Sequence, residues 1–416
     1  MPETDLSVTI QATALAALLE SAHTPPELAV YRGALTPRVL DAPETETAAL
    51  ARGAALHDLG WMRRVAVHGD DRFRWLSGMV TNTVNDLFPN TGAWNLVLNA
   101  QGRIQGDLTV WREGEELSPL RRNPTAATPG GGDRLLGTPF AGESGLELEI
   151  AADQYEKLMA HLNHFIIMDD VELIPLGDEQ VGEAGSVTAV GLTGPLAGEV
   201  LERLGLPVFA HPMQGSSVEW NGLDVRILRG YGVLAPHYEF WIPSAGLTKL
   251  WSCLRTAGGT PVGCAALEGF RIAEGIPAYG IDIVERDLPQ ETSQMRALHF
   301  NKGCYLGQEI VERIHSRGSV HRHLRPLELT GPVPESGTEL TQPGGAPAGQ
   351  ITSAAELPLD GVPADRSSSE GCLPNGSRVF ALGVVRAEAE SRNQTFTYTV
   401  ATATGSARIL AEPPTL

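Results

Sequence analysis

The stretch LPQETSQMRALHFNKGCYLGQEIVERIHSRG, residues 288–318, sets one cysteine in flexible and polar surroundings. Apolar residues after it recur at helical spacing and predict a helix over about residues 307–316, which Gly318 ends. Cys304 therefore lies just before a helix N-terminus, where the helix dipole and the ammonium of Lys302 would stabilise a thiolate. From the residues alone, a functional thiol and a cysteine that fills a gap at a turn are equally good interpretations.

Length and charge limit the class of protein. A chain of 416 residues is longer than one hydrophobic core usually supports, so two or three domains are expected. Its formal net charge of −19 argues against direct nucleic-acid binding, because that affinity depends mainly on Lys and Arg contacts with phosphates.

The four cysteines form no CxxC pair, which favours reduced thiols and a cytoplasmic protein over a disulfide framework. The N-terminal segment lacks a positively charged leader region. No stretch approaches the roughly 18 apolar residues that spanning a bilayer requires, so no membrane partner is expected.

The pattern of elements changes near residue 325. Before it, helical and strand-like segments alternate, whereas short alternating strands follow it without a helix between them, which predicts a small barrel or sandwich. We predict an α+β protein with an N-terminal extension over 1–49, a two-subdomain region over 50–325 and a β unit over 326–416. Loop insertions are expected at about 112–145 and 357–376, where Gly, Pro and Ser are frequent.

A histidine-rich strip follows the cysteine, with His315, His321 and His323 among four arginines. Their spacing matches no standard zinc pattern, and arginines repel cations, so we predict no metal site. The strip is instead the one place on this acidic chain suited to an anion, such as a phosphate, a polyglutamate tail or an RNA backbone.

Two runs, GFRIAEGIPAYGIDI (269–283) and the stretch over 288–318, resemble the signature of the YgfZ family of folate-binding proteins, relatives of the glycine cleavage T-protein. The resemblance runs from about residue 50 to the C-terminus. Its most specific part is K-G-C-Y-x-G-Q-E, which is matched by Lys302, Gly303, Cys304, Tyr305, Gly307, Gln308 and Glu309.

The resemblance implies a T-protein-like fold with mixed α/β folate-binding portions and a C-terminal β-barrel around a folate-sized pocket. It implies tetrahydrofolate or a folate derivative as the cofactor. It also implies a role in iron–sulfur cluster assembly or repair, with iron–sulfur proteins or assembly factors as partners and an indirect effect on tRNA modification. Within that role Cys304 and Lys302 are the predicted catalytic residues, and the other motif residues support them.

Compared with T-proteins, the sequence retains only part of the expected folate site. The acidic pair of T-proteins corresponds to GRIQGD, where Gly106 replaces the first carboxylate and Asp107 retains the second. The pterin-binding glutamate of G-Y-T-G-E is missing from GYGVLAPHYE, although Glu239 follows closely. Arg271 and Tyr279 match the family's positions and suit a folate carboxylate and a flat ring. We predict Arg271, Tyr279 and Asp107 as folate contacts.

Three functions follow as hypotheses. The first is a folate-binding accessory protein of iron–sulfur metabolism. The second is a folate-dependent aminomethyl or one-carbon transferase, which the T-protein-like layout and Asp107 favour. The third is a thiol enzyme in which Cys304 forms a transient covalent adduct. Whether the chain is an enzyme is left open by the sequence.

Overall fold

The computed structural model describes residues 10–21, 24–114, 145–176, 186–358 and 377–416. Most of the two predicted loop insertions, 112–145 and 357–376, lies outside these residues.

An eleven-stranded sheet forms the body of the molecule, in the order β13-β3-β9-β12-β11-β10-β5-β6-β7-β4-β8. A separate hairpin, β1–β2, precedes it in the chain. The thirteen strands are Leu28–Tyr31, Ala34–Pro37, Ala55–Asp58, Met62–His68, Thr91–Leu98, Ile104–Arg112, Leu146–Ala151, Glu172–Leu176, Val187–Thr193, Gln214–Trp220, Leu223–Arg229, His237–Pro243 and Thr260–Val262 (β1–β13).

The sheet consists of two similar halves. Strands β5-β6-β7-β4 repeat the arrangement of β10-β11-β12-β9, and in each half a helix follows the first and the fourth strand along the chain. The halves meet at β5 and β10, which share a single registered pair, Thr91 with Gln214. Because only this one residue pair joins β5 and β10, the two halves separate along these strands and leave room for a cavity.

Local sequence explains the strand pair that carries Asp107. The stretch NLVLNAQGRIQGDLTVW, residues 95–111, predicts two strands joined by a Gln101–Gly102 turn, and β5 and β6 do pair antiparallel across it. Gly102 has φ +71°, a conformation that glycine adopts without a steric penalty.

The helices lie over the sheet and between it and the barrel. They span Ala14–Glu20, Pro43–Arg52, Arg72–Met79, Ala152–His164, Ala197–Arg203, Leu247–Thr256, Cys264–Glu274, Gln308–Arg317 and Ala387–Glu390 (α1–α9). The predicted helix over 307–316 is thus confirmed as α8, displaced by one residue. None of the helices in the described ranges is long and apolar enough to cross a membrane.

Residues before position 50 take part in the core. Leu15 of α1 is fully buried in the same apolar cluster as Leu56 and Val190 of the sheet. The hydroxyl of Thr13 also donates to the buried Asp58 carboxylate. The described part of the predicted extension therefore packs as an element of the folded unit.

A closed barrel of six strands, β14-β17-β16-β15-β18-β19, completes the chain and confirms the predicted barrel. Its first strand begins at Arg322, slightly before the predicted boundary at 326. The strands are Arg322–Thr330, Glu339–Thr341, Pro347–Leu357, Arg378–Arg386, Thr395–Val400 and Ala403–Ile409 (β14–β19). Phe380 and Leu382 of the barrel share an apolar cluster with Tyr305 and Val311, so the barrel packs directly against the cysteine motif.

Candidate functional site

A cavity of about 230 Å³ opens where the two halves of the sheet meet. It is lined by strands of both halves and by the 3-10 turn Met295–Ala297, which belongs to the stretch over 288–318. Its polar and aromatic lining side chains are Trp61, Trp94, Asp107, Thr109, Trp111, Glu149, Tyr231, His237, Glu239 and Arg296.

Asp107 lies in this cavity with both carboxylate oxygens held. Trp94 Nε1 donates to Oδ2 at 2.8 Å, and Gln154 Nε2 donates to Oδ1 at 3.0 Å. A Cβ at the neighbouring Gly106 would lie 2.7 Å from Gln154 Oε1 and from Leu158 Cδ2, so a side chain there would displace both. The cavity thus contains one oriented carboxylate at this point, that of Asp107.

Arg296 is the cationic group of the cavity. Its guanidinium carbon lies 3.6 Å from the Tyr231 ring centroid and 4.9 Å from that of Trp94, so the side chain is held between two aromatic faces. Burial lowers its pKa to about 10, and its Nε finds no hydrogen-bond partner among the described residues. A half-buried cation whose buried Nε has no partner among the described residues is suited to an anionic group of a ligand.

Two buried glutamates, Glu149 of β7 and Glu239 of β12, face each other at the cavity wall. Trp111 Nε1 donates to Glu149 at 3.2 Å, and Trp241 Nε1 donates to Glu239 at 3.0 Å. Burial, followed by the charge of Glu239, raises the pKa of Glu149 well above its ordinary value, and the two groups share a hydrogen bond. Glu149 Oε2 also accepts from Arg64 Nη1 at 3.1 Å. The carboxylates of the pair line the cavity, where their oxygens are acceptors for a ligand.

Two predicted folate contacts lie elsewhere. The Arg271 guanidinium, almost wholly buried, donates to Asp282 at 2.7 Å and to the Ile276 carbonyl at 2.6 Å, and it also pairs with Glu268. Tyr279 accepts a hydrogen bond from Lys157 Nζ at 2.7 Å. Neither residue is part of the cavity's described lining. Arg271 acts in this structure as an ion-pair centre, and its role as a folate contact stays a prediction, as does that of Tyr279.

Lys302 ties the cysteine motif to the chain beside the cavity. Its ammonium donates to the carbonyl oxygens of Val80 and Asn82, at 2.7 and 2.6 Å. Asn82 in turn donates from its amide to the carbonyls of Trp94 and Arg296, at 3.0 and 2.8 Å. Burial lowers the pKa of Lys302 to about 7, whereas its two carbonyl partners favour the ammonium. Its hydrogen bonds hold the motif in place.

Gly307 fixes the motif against the turn between β5 and β6. It has φ +80°, and a Cβ there would lie 2.6 Å from the carbonyl oxygen of Asn99. Only glycine fits such an approach without displacing the backbone. Tyr305 is buried in the apolar cluster shared with the barrel, while Gln308 and Glu309 form the first turn of α8.

Cys304 is exposed. A Cβ added to Gly303, the residue before it, would have no heavy atom within 4 Å. The residues that line the described cavity include neither Cys304 nor Lys302. The thiol therefore faces solvent in open surroundings, while the same stretch of chain sends Arg296 into the cavity.

Sequence reasoning missed Arg296 and Glu149 and gave Glu239 no role in this chain. One signal was present for Arg296, since it lies within the specific stretch over 288–318. Glu149 sits in an alternating strand, LELEIA, whose face toward the cavity depends on pairing with β4 and β6. Among the described residues, no group of three or more His, Cys, Asp or Glu side chains is arranged to hold a metal ion.

Comparisons with known proteins agree with this architecture. Residues 25–123 match the family model of the GCVT N-terminal domain. A chloroplastic protein of Arabidopsis thaliana, described as a candidate transferase, is 23% identical over 84% of this chain and 69% of its own length. An aminomethyltransferase of Chlorobium chlorochromatii is 25% identical over 64% of this chain, which spans 66% of that relative.

The crystal structure of the glycine cleavage system aminomethyltransferase T from Bartonella henselae superposes with a TM-score of 0.75 at 19% sequence identity. The superposition covers 97% of this chain and 98% of that one. Residues 25–123 are therefore similar to a GCVT N-terminal domain, and the chain has the fold of aminomethyltransferase T.

Proposed function

We propose that this protein binds tetrahydrofolate in the cavity around Asp107 and serves iron–sulfur cluster assembly or repair through the exposed thiol of Cys304. The observation that carries the proposal is the separation of the two features. The cavity is lined by acidic, aromatic and cationic groups that suit a folate, whereas the cysteine of the most specific motif lies outside its lining and faces solvent.

The chemistry of the cavity fits a reduced folate. A pterin ring offers several N–H donors along its edges, which suit the oxygens of Asp107, Glu149 and Glu239. Its flat face suits Trp94 and Tyr231. Arg296, half-buried and with an unpartnered Nε among the described residues, suits a carboxylate of the glutamate tail. We therefore assign the anion-binding role within this cavity to Arg296, which lines it.

Isothermal titration with tetrahydrofolate tests the binding. We expect saturable binding by the wild-type protein and a loss of at least tenfold in Asp107→Asn, because an oriented charged acceptor becomes a partly donating amide. Asp224→Asn, which changes a carboxylate outside the lining of this cavity, serves as the matched control. No binding by the wild-type protein would overturn the proposal.

Complementation of a deletion strain tests the role of the thiol. Cys304→Ala is expected to leave tetrahydrofolate affinity unchanged and to fail to restore the activity of iron–sulfur enzymes. Cys253→Ala changes a half-buried cysteine of α6 and is the control, expected to restore it. Full rescue by Cys304→Ala would refute the assignment.

Aminomethyl transfer is the second candidate function, and the observation that favours it is the oriented Asp107 carboxylate inside the cavity. Incubation of the protein with tetrahydrofolate and an aminomethyl-lipoyl carrier decides it. Production of methylene-tetrahydrofolate that is lost in Asp107→Asn would establish this reaction, and its absence at high protein concentration would reject it.

A further inference from the structure

Two histidines and a threonine form a hydrogen-bonded chain that ends in the cavity. The rings of His57 and His237 stack with centroids 5.7 Å apart and planes inclined by 11°. The hydroxyl of Thr193 bridges them, 2.9 Å from His57 Nε2 and 2.8 Å from His237 Nδ1. The other nitrogen of His237, Nε2, lies on the side of Glu239, 3.7 Å from its Oε1.

The far end of the chain sets its direction. His57 Nδ1 lies 3.5 Å from the carbonyl oxygen of Asp58, which can only accept, so Nδ1 carries the proton. His57 Nε2 then accepts from the Thr193 hydroxyl, and the Thr193 oxygen accepts from His237 Nδ1–H. This order leaves His237 Nε2 with a free lone pair.

The opposite direction is less favourable. It would turn a bare Nδ1 of His57 toward the Asp58 carbonyl, so that two lone pairs face each other inside the protein. In that direction His237 Nε2 would carry the proton. Its nearest acceptor, Glu239 Oε1, lies 3.7 Å away, beyond hydrogen-bond distance, so no hydrogen bond would be gained. Burial lowers the pKa of His57 to about 3 and that of His237 to about 4, so both rings are neutral at physiological pH.

Two glycines leave the space that the two rings occupy. A Cβ at Gly191 would lie 2.0 Å from His57 Cε1, so that ring packs directly on the backbone of β9. A Cβ at Gly230 would lie 2.7 Å from His237 Cδ2 and 3.0 Å from Glu239 Oε1. The sequence therefore keeps both positions free of side chains where the chain of hydrogen bonds needs the space.

We propose that His237 Nε2 is a fixed hydrogen-bond acceptor in the cavity, oriented by Thr193 and His57, and that it selects a reduced pterin over an oxidised one. The inference rests on the proposed folate function and deepens it. Reduction places hydrogens on the two ring nitrogens of the pterin's second ring, which are bare acceptors in the oxidised form. A neutral Nε2 accepts from such an N–H and repels a bare nitrogen.

Affinities for tetrahydrofolate and folic acid, measured side by side, test this selectivity. The wild-type protein is expected to prefer tetrahydrofolate by roughly tenfold or more, the effect of one buried hydrogen bond. Thr193→Val removes the bridging hydroxyl and should lower that ratio to near one, while Thr193→Ser should restore it. Thr188→Val, on the same strand but outside the lining of this cavity, is the control.

Nitrogen NMR of histidine-labelled protein without ligand gives an independent readout that a merely structural role would not move. We expect the Nδ1–H tautomer for His237 in the wild-type protein and a mixture of tautomers in Thr193→Val. An Nε2–H tautomer in the wild-type protein overturns the inference, even if the variants fail to fold. Equal affinity for both folates also overturns it and leaves the proposed function standing, whereas binding of neither folate overturns that function.

Discussion

Replacing Arg296 with methionine is expected to stabilise the ligand-free protein and to weaken tetrahydrofolate binding. Burial lowers the arginine's pKa to about 10, roughly 2.5 below its ordinary value, and one pKa unit corresponds to about 1.4 kcal/mol. The buried charge therefore costs about 3 kcal/mol. This cost is present in full at neutral pH and is relieved only above about pH 10, where the folded form loses its proton.

Methionine would also lose the stacking of the guanidinium on Tyr231 and Trp94, which contributes about 0.5–1 kcal/mol for each ring. The net expectation is a gain of about 1–2 kcal/mol and a rise of a few degrees in the thermal midpoint. Affinity for tetrahydrofolate should fall about 10–100-fold, because a charge-assisted hydrogen bond contributes about 1.5–3 kcal/mol.

Thermal unfolding followed by circular dichroism, with and without tetrahydrofolate, measures both effects. Arg286→Met, which changes an exposed arginine, is the control and should shift neither the midpoint nor the affinity. A lower midpoint for Arg296→Met without ligand would show that the arginine stabilises the fold. Unchanged affinity would show that it does not bind the ligand.

Three further predictions concern the cysteine motif. Gly307→Ala should lower the free energy of unfolding by about 2 kcal/mol or more, because the position has a positive φ and its Cβ would contact Asn99. The control, Gly303→Ala, should change it by less than about 0.5 kcal/mol, and urea titrations measure both. Lys302→Met removes the charge-assisted hydrogen bonds to the carbonyls of Val80 and Asn82, but it also removes the cost of burying the ammonium, whose pKa burial lowers to about 7. The two effects are of similar size, so the urea midpoint should change little, and a shift of more than about 2 kcal/mol in the free energy of unfolding would contradict this balance. Cys304 is exposed, whereas Cys253 is half-buried and Cys264 buried, so iodoacetamide should label Cys304 before the other two, and equal labelling of the three would contradict the accessibility of this thiol.

Some of the architecture was readable from the residues. Alternating strands without helices predicted the barrel, and the helical spacing after Cys304 predicted α8, because these periodicities are local consequences of which face is buried. The turn at Gln101–Gly102 was predictable for the same reason, since its neighbours alternate on both sides. The exposed cysteine before a helix also followed from its polar surroundings.

The composition of the site depended on contacts between distant parts of the chain. Arg271 matched a family position for a carboxylate contact, but Asp282 and Glu268 occupy its guanidinium in the folded protein. No residue beside Arg296 in the sequence marked it as a ligand contact, yet Trp94 and Tyr231 enclose it in the cavity.

The sequence by itself determined local elements of this protein: the helix after Cys304 and the strands of the barrel. Only the tertiary structure decided which charged groups share a cavity. The physical reason is that the two halves of the sheet meet through one strand pair, Thr91 with Gln214. This meeting brings Asp107 and Glu149 of one half beside Glu239 of the other, and no local periodicity records such a juxtaposition.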